Sequence, residues 1–163
     1  MPTSVNAQSA SQLSIVADDS SFRTSLLRLV RAMGFRADGF ESGHRFLASG
    51  MAEKTVCLIV DVDMPGMDGP ELHRHLVASH FQIPIIFLTV GLIRSNSNLV
   101  SWPGAAEILT KPVDSAALQK AIETAVTRFH SYQTRPYKIA SPKTPTNPVI
   151  ASSIETLENE QRT

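Results

Sequence analysis

The stretch that decides the fold is Cys57-Leu58-Ile59-Val60-Asp61-Val62-Asp63-Met64-Pro65-Gly66-Met67-Asp68-Gly69-Pro70. It begins with four apolar residues, which is typical of a strand that is buried on both faces. The acids Asp61 and Asp63 follow this run. A turn rich in Pro and Gly then leads to Pro70, which suits the first position of a helix. The stretch therefore predicts a buried strand, a loop that carries carboxylates and a following helix.

The same order of segments recurs on both sides of this stretch. Apolar runs predict strands at 13–17, 56–60 and 85–88, with weaker strands at 37–40 and 107–109. Amphipathic patterns predict helices at 21–33, with Phe22 on the apolar face, and at 70–79. Two further helices are predicted after Ser42 and after Asp114, each of which is a candidate N-cap. A helix also belongs at 94–106, but its residues are poor helix formers, so we expect it to be short or frayed. Apolar strands that alternate with helices predict an α/β domain with a parallel sheet covered on both faces.

The ends of the chain differ from this core in composition. Residues 1–11 are mostly small or polar, and we predict that they form a disordered lead. Four of the ten prolines fall after residue 130, among many Ser and Thr residues, so we predict a disordered tail at 131–163. The folded domain is accordingly predicted at 12–130.

Composition excludes several classes of protein. The 15 basic and 15 acidic residues cancel, which argues against a generally basic nucleic-acid-binding protein. Cys57 is the single cysteine and lies in an apolar run, so we predict a buried core thiol rather than a disulfide or a zinc ligand. The sequence has neither an apolar stretch of membrane-spanning length nor a secretory signal pattern. We expect a cytoplasmic protein that does not interact with a membrane.

Polar side chains follow four of the predicted strands, where a parallel α/β sheet binds its ligands. They are Asp18 and Asp19 after the first strand, Asp61 and Asp63 after the third, Thr89 after the fourth and Lys111 after the fifth. Carboxylates are suitable ligands for Mg²⁺, which keeps several of its waters. A hydroxyl and an ammonium can bind phosphoryl oxygens. The pattern predicts a site for a divalent cation and a phosphoryl group.

These motifs resemble the CheY-like receiver domain of bacterial two-component response regulators, and the FixJ-like regulators among them. The matching stretches are Ile15-Val16-Ala17-Asp18-Asp19 with Arg23, Gly34-Phe35, Phe40-Glu41-Ser42-Gly43, Phe46-Leu47, Cys57 to Gly69, Ile83 to Thr89, Gly104-Ala105 and Lys111-Pro112. The resemblance implies a doubly wound, flavodoxin-like α/β fold with five parallel strands in the order 2-1-3-4-5.

The resemblance also implies a role for each polar position. Asp61 would accept a phosphoryl group from a histidine kinase or a phosphotransfer protein. Mg²⁺ would be held by Asp18, Asp61 and the backbone carbonyl of Asp63, with Asp19 as a further candidate ligand. Thr89 and Lys111 would bind the phosphoryl oxygens, and a cis Lys111–Pro112 bond would fit a tight turn that directs Lys111 inward.

Three positions depart from the family pattern. The family has two consecutive acids at the metal, and counting back from Arg23 puts them at Ala17 and Asp18. We favour a substitution at Ala17, which should weaken Mg²⁺ binding; alternatively the loop is one residue shorter and Asp18-Asp19 is the pair. Ile108 replaces the usual aromatic residue of the fifth strand. Val90 replaces a small residue and could narrow access to Asp61.

Several functions therefore stay open. The first is a phosphorylated receiver that acts as a signalling domain rather than an enzyme, with an unknown output partner and at most a weak homodimer. The second is a pseudo-receiver that binds proteins without phosphorylation. The third is a transcriptional regulator without its DNA-binding domain, since the segment after residue 130 is short; we expect no direct nucleic-acid binding. The pair Asp61 and Asp63 also superficially suits a phosphatase with an aspartate nucleophile, but the continuation through Gly69 favours a receiver.

Overall fold

The computed structural model describes residues 11–91 and 105–134. Its strands are β1 (Gln12–Val16), β2 (Arg36–Phe40), β3 (Cys57–Asp61), β4 (Ile85–Val90) and β5 (Ala105–Lys111). Its helices are α1 (Ser20–Ala32), α2 (Gly43–Ala48), α3 (Gly69–Ala78) and α4 (Ser115–Thr134), with a 3-10 turn at Met51–Glu53.

The five strands form one parallel sheet in the order β2-β1-β3-β4-β5, which confirms the predicted α/β fold and strand order. The chain moves outward from β1 to β2 in one direction and from β3 to β5 in the other. Connections leave β1 and β3 toward opposite sides, and this reversal opens a crevice at their carboxyl ends. Asp61 is the last residue of β3, so the fold places it at this crevice.

The core has two apolar layers, one on each face of the sheet. Ile15, Ile59 and Leu88 face α1 and α4, where they meet Leu26 and Ile122. The alternate residues of the strands face α2 and α3 in the second layer, which contains Val16, Leu58, Val60, Phe46, Leu72 and Phe87. Because successive side chains of a strand point to opposite faces, continuous apolar strands supply both layers.

The helix termini carry the capping residues that the sequence predicts. The Ser42 hydroxyl accepts a hydrogen bond from the backbone N–H of Arg45 at 3.2 Å. The Asp114 carboxylate accepts one from the N–H of Ala117 at 2.8 Å. Gly34 follows α1 with a φ of +94°, a left-handed conformation in which glycine carries no steric cost.

The element boundaries differ from the predicted ones at several places. β5 extends beyond 107–109 at both ends, because its whole length pairs with β4 from Ala105 to Lys111. β5 is the last strand of the described sheet, and such a position tolerates the exposed Glu107 and Thr110. The helix expected at 94–106 is wrong for Ala105 and Ala106, which belong to β5; residues 92–104 lie outside the described part.

The last helix continues past the predicted end of the domain. α4 ends at Thr134, four residues after position 130. The described residues begin at 11, so most of the predicted lead and the part of the tail after 134 lie outside them. The limits 12–130 for the folded domain stay a prediction.

Candidate functional site

The carboxyl ends of β3, β4 and β5 bring Asp61, Thr89 and Lys111 to one edge of the sheet. Asp61 pairs in register with Leu88, the residue before Thr89. Thr89 pairs with Thr110, the residue before Lys111. The sequence predicted that Thr89 and Lys111 follow their strands. The structure places both residues within the strands, because β4 extends to Val90 and β5 extends to Lys111.

Asp61 and Lys111 form an ion pair at this edge. The Lys111 Nζ donates a hydrogen bond to Oδ2 of Asp61, and the exposed fractions of the two side chains are 20% and 5%. The other carboxylate oxygen, Oδ1, accepts a hydrogen bond from the backbone N–H of Asp63 at 3.2 Å. The carboxylate of Asp61 is thus buried, oriented through both oxygens and opposed by one positive charge.

The neighbouring acids Asp18 and Asp19, in the loop between β1 and α1, have different surroundings. The side chain of Asp19 caps α1, since its Oδ1 accepts a hydrogen bond from the N–H of Phe22 at 2.7 Å. Asp18 is exposed. Arg23 fixes the loop by donating from Nη1 to the backbone oxygens of Ala17 at 2.5 Å and of Asp18 at 3.2 Å.

Ala17 lies at the beginning of the same loop and is 1% exposed. Its N–H donates to the carbonyl of Phe40 at 3.1 Å, which extends the pairing of β1 with β2. The first residue of the loop therefore carries a buried methyl group at the carboxyl end of β1.

Thr89 and Val90 differ sharply in exposure at the end of β4. Thr89 is 6% exposed, whereas Val90 is 68% exposed. Ile108 of β5 is partly buried and packs against the layer of α2 and α3. The Lys111–Pro112 bond is cis, as predicted.

Comparison with known proteins shows the family to which this domain belongs. Residues 13–123 match the response regulator receiver domain family. The chain belongs to that family. Receiver domains are the signalling domains of two-component systems, so the predicted resemblance is confirmed.

Relatives of known sequence are response regulators from bacteria. Nodulation protein W of Bradyrhizobium diazoefficiens is 36% identical over 115 residues, which cover 70% of this chain and 50% of that protein. The response regulator protein TmoT of Ectopseudomonas mendocina is 38% identical over 113 residues, which cover 69% of this chain and 51% of that protein. The chain thus spans about half the length of these two curated relatives.

Solved structures give the same assignment. The response regulator StyR superposes with a TM-score of 0.70 at 29% identity, covering 92% of this chain and 68% of that one. FixJ-N superposes with a TM-score of 0.65 at 29% identity, covering 72% of this chain and 94% of that one. Among the described residues of this receiver domain, no helix has the length and apolarity needed to cross a membrane.

Carboxylates at the carboxyl ends of the neighbouring strands β1 and β3 are the groups of this site that could hold a divalent cation. Within residues 11–91 and 105–134, no group of three His, Cys, Asp or Glu side chains converges on one point. Mg²⁺ is commonly bound through one or two carboxylates and retains water for the rest of its shell. Asp18 lies in the loop after β1, and Asp61 is the last residue of the neighbouring strand β3, so these two residues offer such carboxylates.

One residue of the site was not predicted from the sequence. The Lys111 ammonium lies over the ring of Phe22, with Nζ 4.5 Å from the ring centroid. The helical periodicity placed Phe22 on the apolar face of α1, and that assignment holds, since the ring packs against the core. The amphipathic pattern contained no signal for its second contact, because Lys111 lies 89 positions further along the chain and meets Phe22 only in the folded domain.

Proposed function

We propose that the chain is a phosphorylated receiver in which Asp61 accepts a phosphoryl group from a phosphohistidine of a histidine kinase or phosphotransfer protein. An oxygen of the Asp61 carboxylate attacks phosphorus. The new P–O bond forms as the P–N bond breaks, and the imidazole nitrogen that leaves takes up a proton. The observation that carries this proposal is the buried Asp61 carboxylate paired with Lys111 in a receiver fold.

The residues around Asp61 are suited to this reaction, which depends on position and electrostatics. Lys111 can follow the negative charge from the carboxylate to the phosphoryl oxygens, since its ammonium already lies at Oδ2. The hydroxyl of Thr89 can donate a hydrogen bond to another phosphoryl oxygen at the same sheet edge. The N–H of Asp63 keeps the carboxylate oriented while it attacks.

We propose that Mg²⁺ is the cofactor, held by the carboxylates of Asp18 and Asp61 and the backbone carbonyl of Asp63. When bound, the ion would offset the charge of the carboxylates and of the transferring group. The capping bond of Asp19 supports Asp18 as the ligand, because the Asp19 carboxylate already serves the N-terminus of α1.

Intact-mass analysis of the full chain tests the proposal. The chain is incubated with acetyl phosphate and Mg²⁺, beside an Asp61→Asn variant and a matched Asp63→Asn variant that keeps the backbone carbonyl. We expect a mass gain of one phosphoryl group in the wild type and in Asp63→Asn, and none in Asp61→Asn. A wild type that gains no mass, or a gain that persists in Asp61→Asn, would overturn the proposal.

A second function, a protein-binding module that is not phosphorylated, is favoured by one observation. Ala17 puts a buried methyl group where a second acid is expected, so the site has fewer cation ligands. This alternative predicts that the wild type neither binds Mg²⁺ nor gains mass.

A further inference from the structure

We infer that Phe22 is a positioning residue, whose ring holds the Lys111 ammonium against Asp61. The inference rests on the proposed phosphoryl transfer and adds a residue to that site. Its basis is the placement of Nζ 4.5 Å from the ring centroid while the same nitrogen donates to Asp61. The ammonium thus contacts both a carboxylate and an aromatic ring.

The chemistry of the contact favours this role. The face of an aromatic ring carries partial negative charge and attracts a cation within about 6 Å of its centroid. The attraction is stronger where water is excluded, and the Lys111 side chain is only 20% exposed. A flexible lysine side chain otherwise has several rotamers of similar energy. The ring favours the rotamers that direct Nζ at the carboxylate.

The local structure fixes the ring itself. Phe22 lies in the first turn of α1, and its N–H donates to the capping carboxylate of Asp19 at 2.7 Å. The ring is partly buried and packs against the core layer of α1 and α4. The adjacent Arg23 attaches the same turn to the backbone of Ala17. Asp19 therefore acts on Lys111 indirectly, by holding the turn that carries Phe22.

Substitution of Phe22 separates positioning from packing. Phe22→Leu keeps an apolar side chain and removes the ring, whereas Phe22→Tyr keeps the ring. Phe22→Met serves as a second ring-free variant, which decides the matter if Phe22→Leu does not fold. Phe81→Leu is the matched control, because Phe81 is also partly buried but lies in the other core layer, just before β4.

Two measurements are made on the full chain. The first is the NMR resonance of the Lys111 ε-methylene group in protein with ¹³C-labelled lysine, assigned by its loss in Lys111→Arg. The second is the rate constant of phosphorylation by acetyl phosphate at saturating Mg²⁺. We expect a ring-current shift in the wild type, Phe22→Tyr and Phe81→Leu. Loss of the ring should remove that shift and slow phosphorylation by about threefold to tenfold.

The two measurements distinguish the possible failures. If the ring-free variants keep the Lys111 resonance and the rate, the inference is wrong. If Phe22→Tyr slows phosphorylation as much as Phe22→Leu, the role is packing alone, and the inference is also overturned. If the wild type is not phosphorylated, the proposed function fails, and with it the catalytic part of the inference; the Lys111 resonance still reports separately whether the contact exists.

Discussion

The ammonium of Lys111 donates to the carboxylate of Asp61 across 50 positions of sequence, from the end of β5 to the end of β3. The pair is asymmetric, since the Asp61 side chain is 5% exposed and that of Lys111 is 20% exposed. If one partner is removed, the lysine can turn toward water more easily than the carboxylate can. Substitutions of Lys111 and of Asp61 should therefore lower the stability of the domain by different amounts.

We expect Lys111→Met to destabilise the domain more than Asp61→Asn does. Lys111→Met leaves a buried carboxylate without its cation, which should lower the free energy of unfolding by about 1–3 kcal/mol. Asp61→Asn is isosteric and leaves a lysine that can reach solvent, so its cost should stay below about 1 kcal/mol. Urea unfolding of both variants measures the difference. Equal costs would mean that the carboxylate is better solvated than its burial indicates.

A second prediction concerns the neighbouring acids Asp18 and Asp19. If Asp18 is the magnesium ligand, Asp18→Asn should weaken Mg²⁺ binding at least about tenfold, because cation affinity depends on the charge of the ligands. Asp19→Asn should change it less than about threefold, since asparagine also caps helices well. Calorimetric titration with Mg²⁺ compares the two variants. The reverse ranking would assign the ligand to Asp19 and favour the shortened loop.

A third prediction concerns the apolar first position of that loop. Ala17→Asp should strengthen Mg²⁺ binding, since it adds a carboxylate beside Asp18, and should lower stability without the ion because the carboxylates repel. Ala17→Asn is the matched control of similar size without the charge. The same titration, together with thermal unfolding with and without Mg²⁺, provides the comparison. Equal affinity in both variants would show that position 17 does not face the cation.

A fourth prediction concerns Cys57, which is fully buried in β3. Burial raises the pKa of its thiol to about 12. The native thiol should therefore resist alkylation at about pH 8, where an exposed thiol is partly ionised, and should react once the chain is unfolded in urea. Rapid alkylation under native conditions would mean that β3 opens readily.

The same pKa shift predicts how stability depends on pH. Above about pH 9 the unfolded chain loses the thiol proton while the native chain keeps it, so the free energy of unfolding falls as the pH rises. The slope due to this group is at most about 1.4 kcal/mol per pH unit. Cys57→Ala lacks the group and serves as the reference in urea unfolding between about pH 7 and 10. If the free energy of unfolding depends on pH in the same way in both proteins, the raised pKa of the Cys57 thiol is contradicted.

The fold could be predicted from the sequence because local and global signals agree. The apolar run before Asp61 forms β3, and the capping roles of Ser42 and Asp114 occur as predicted. Agreement was poorer for β5, whose exposed Glu107 and Thr110 interrupt the apolar pattern. Its true length depends on its pairing with β4, which a local pattern does not contain.

The sequence predicted which residues the fold brings together at the carboxyl end of the sheet, but it did not predict their contacts. Parallel strands bring their carboxyl ends together, which was enough to group Asp61, Thr89 and Lys111. The different surroundings of Asp18 and Asp19 depend on where α1 begins. The contact of Phe22 with Lys111 joins the first turn of α1 to the last residue of β5, and neither feature follows from spacing along the chain.

The most direct test of the central claim is to locate the phosphoryl group on the chain. After incubation with acetyl phosphate and Mg²⁺, borohydride reduces an aspartyl phosphate to homoserine, which peptide mass spectrometry can locate. The tryptic peptide that follows Lys54 contains Asp61 together with Asp63 and Asp68 as internal controls. We predict homoserine at position 61 alone. An unmodified peptide, or homoserine at position 63 or 68, would contradict the assignment of Asp61 as the phosphoacceptor.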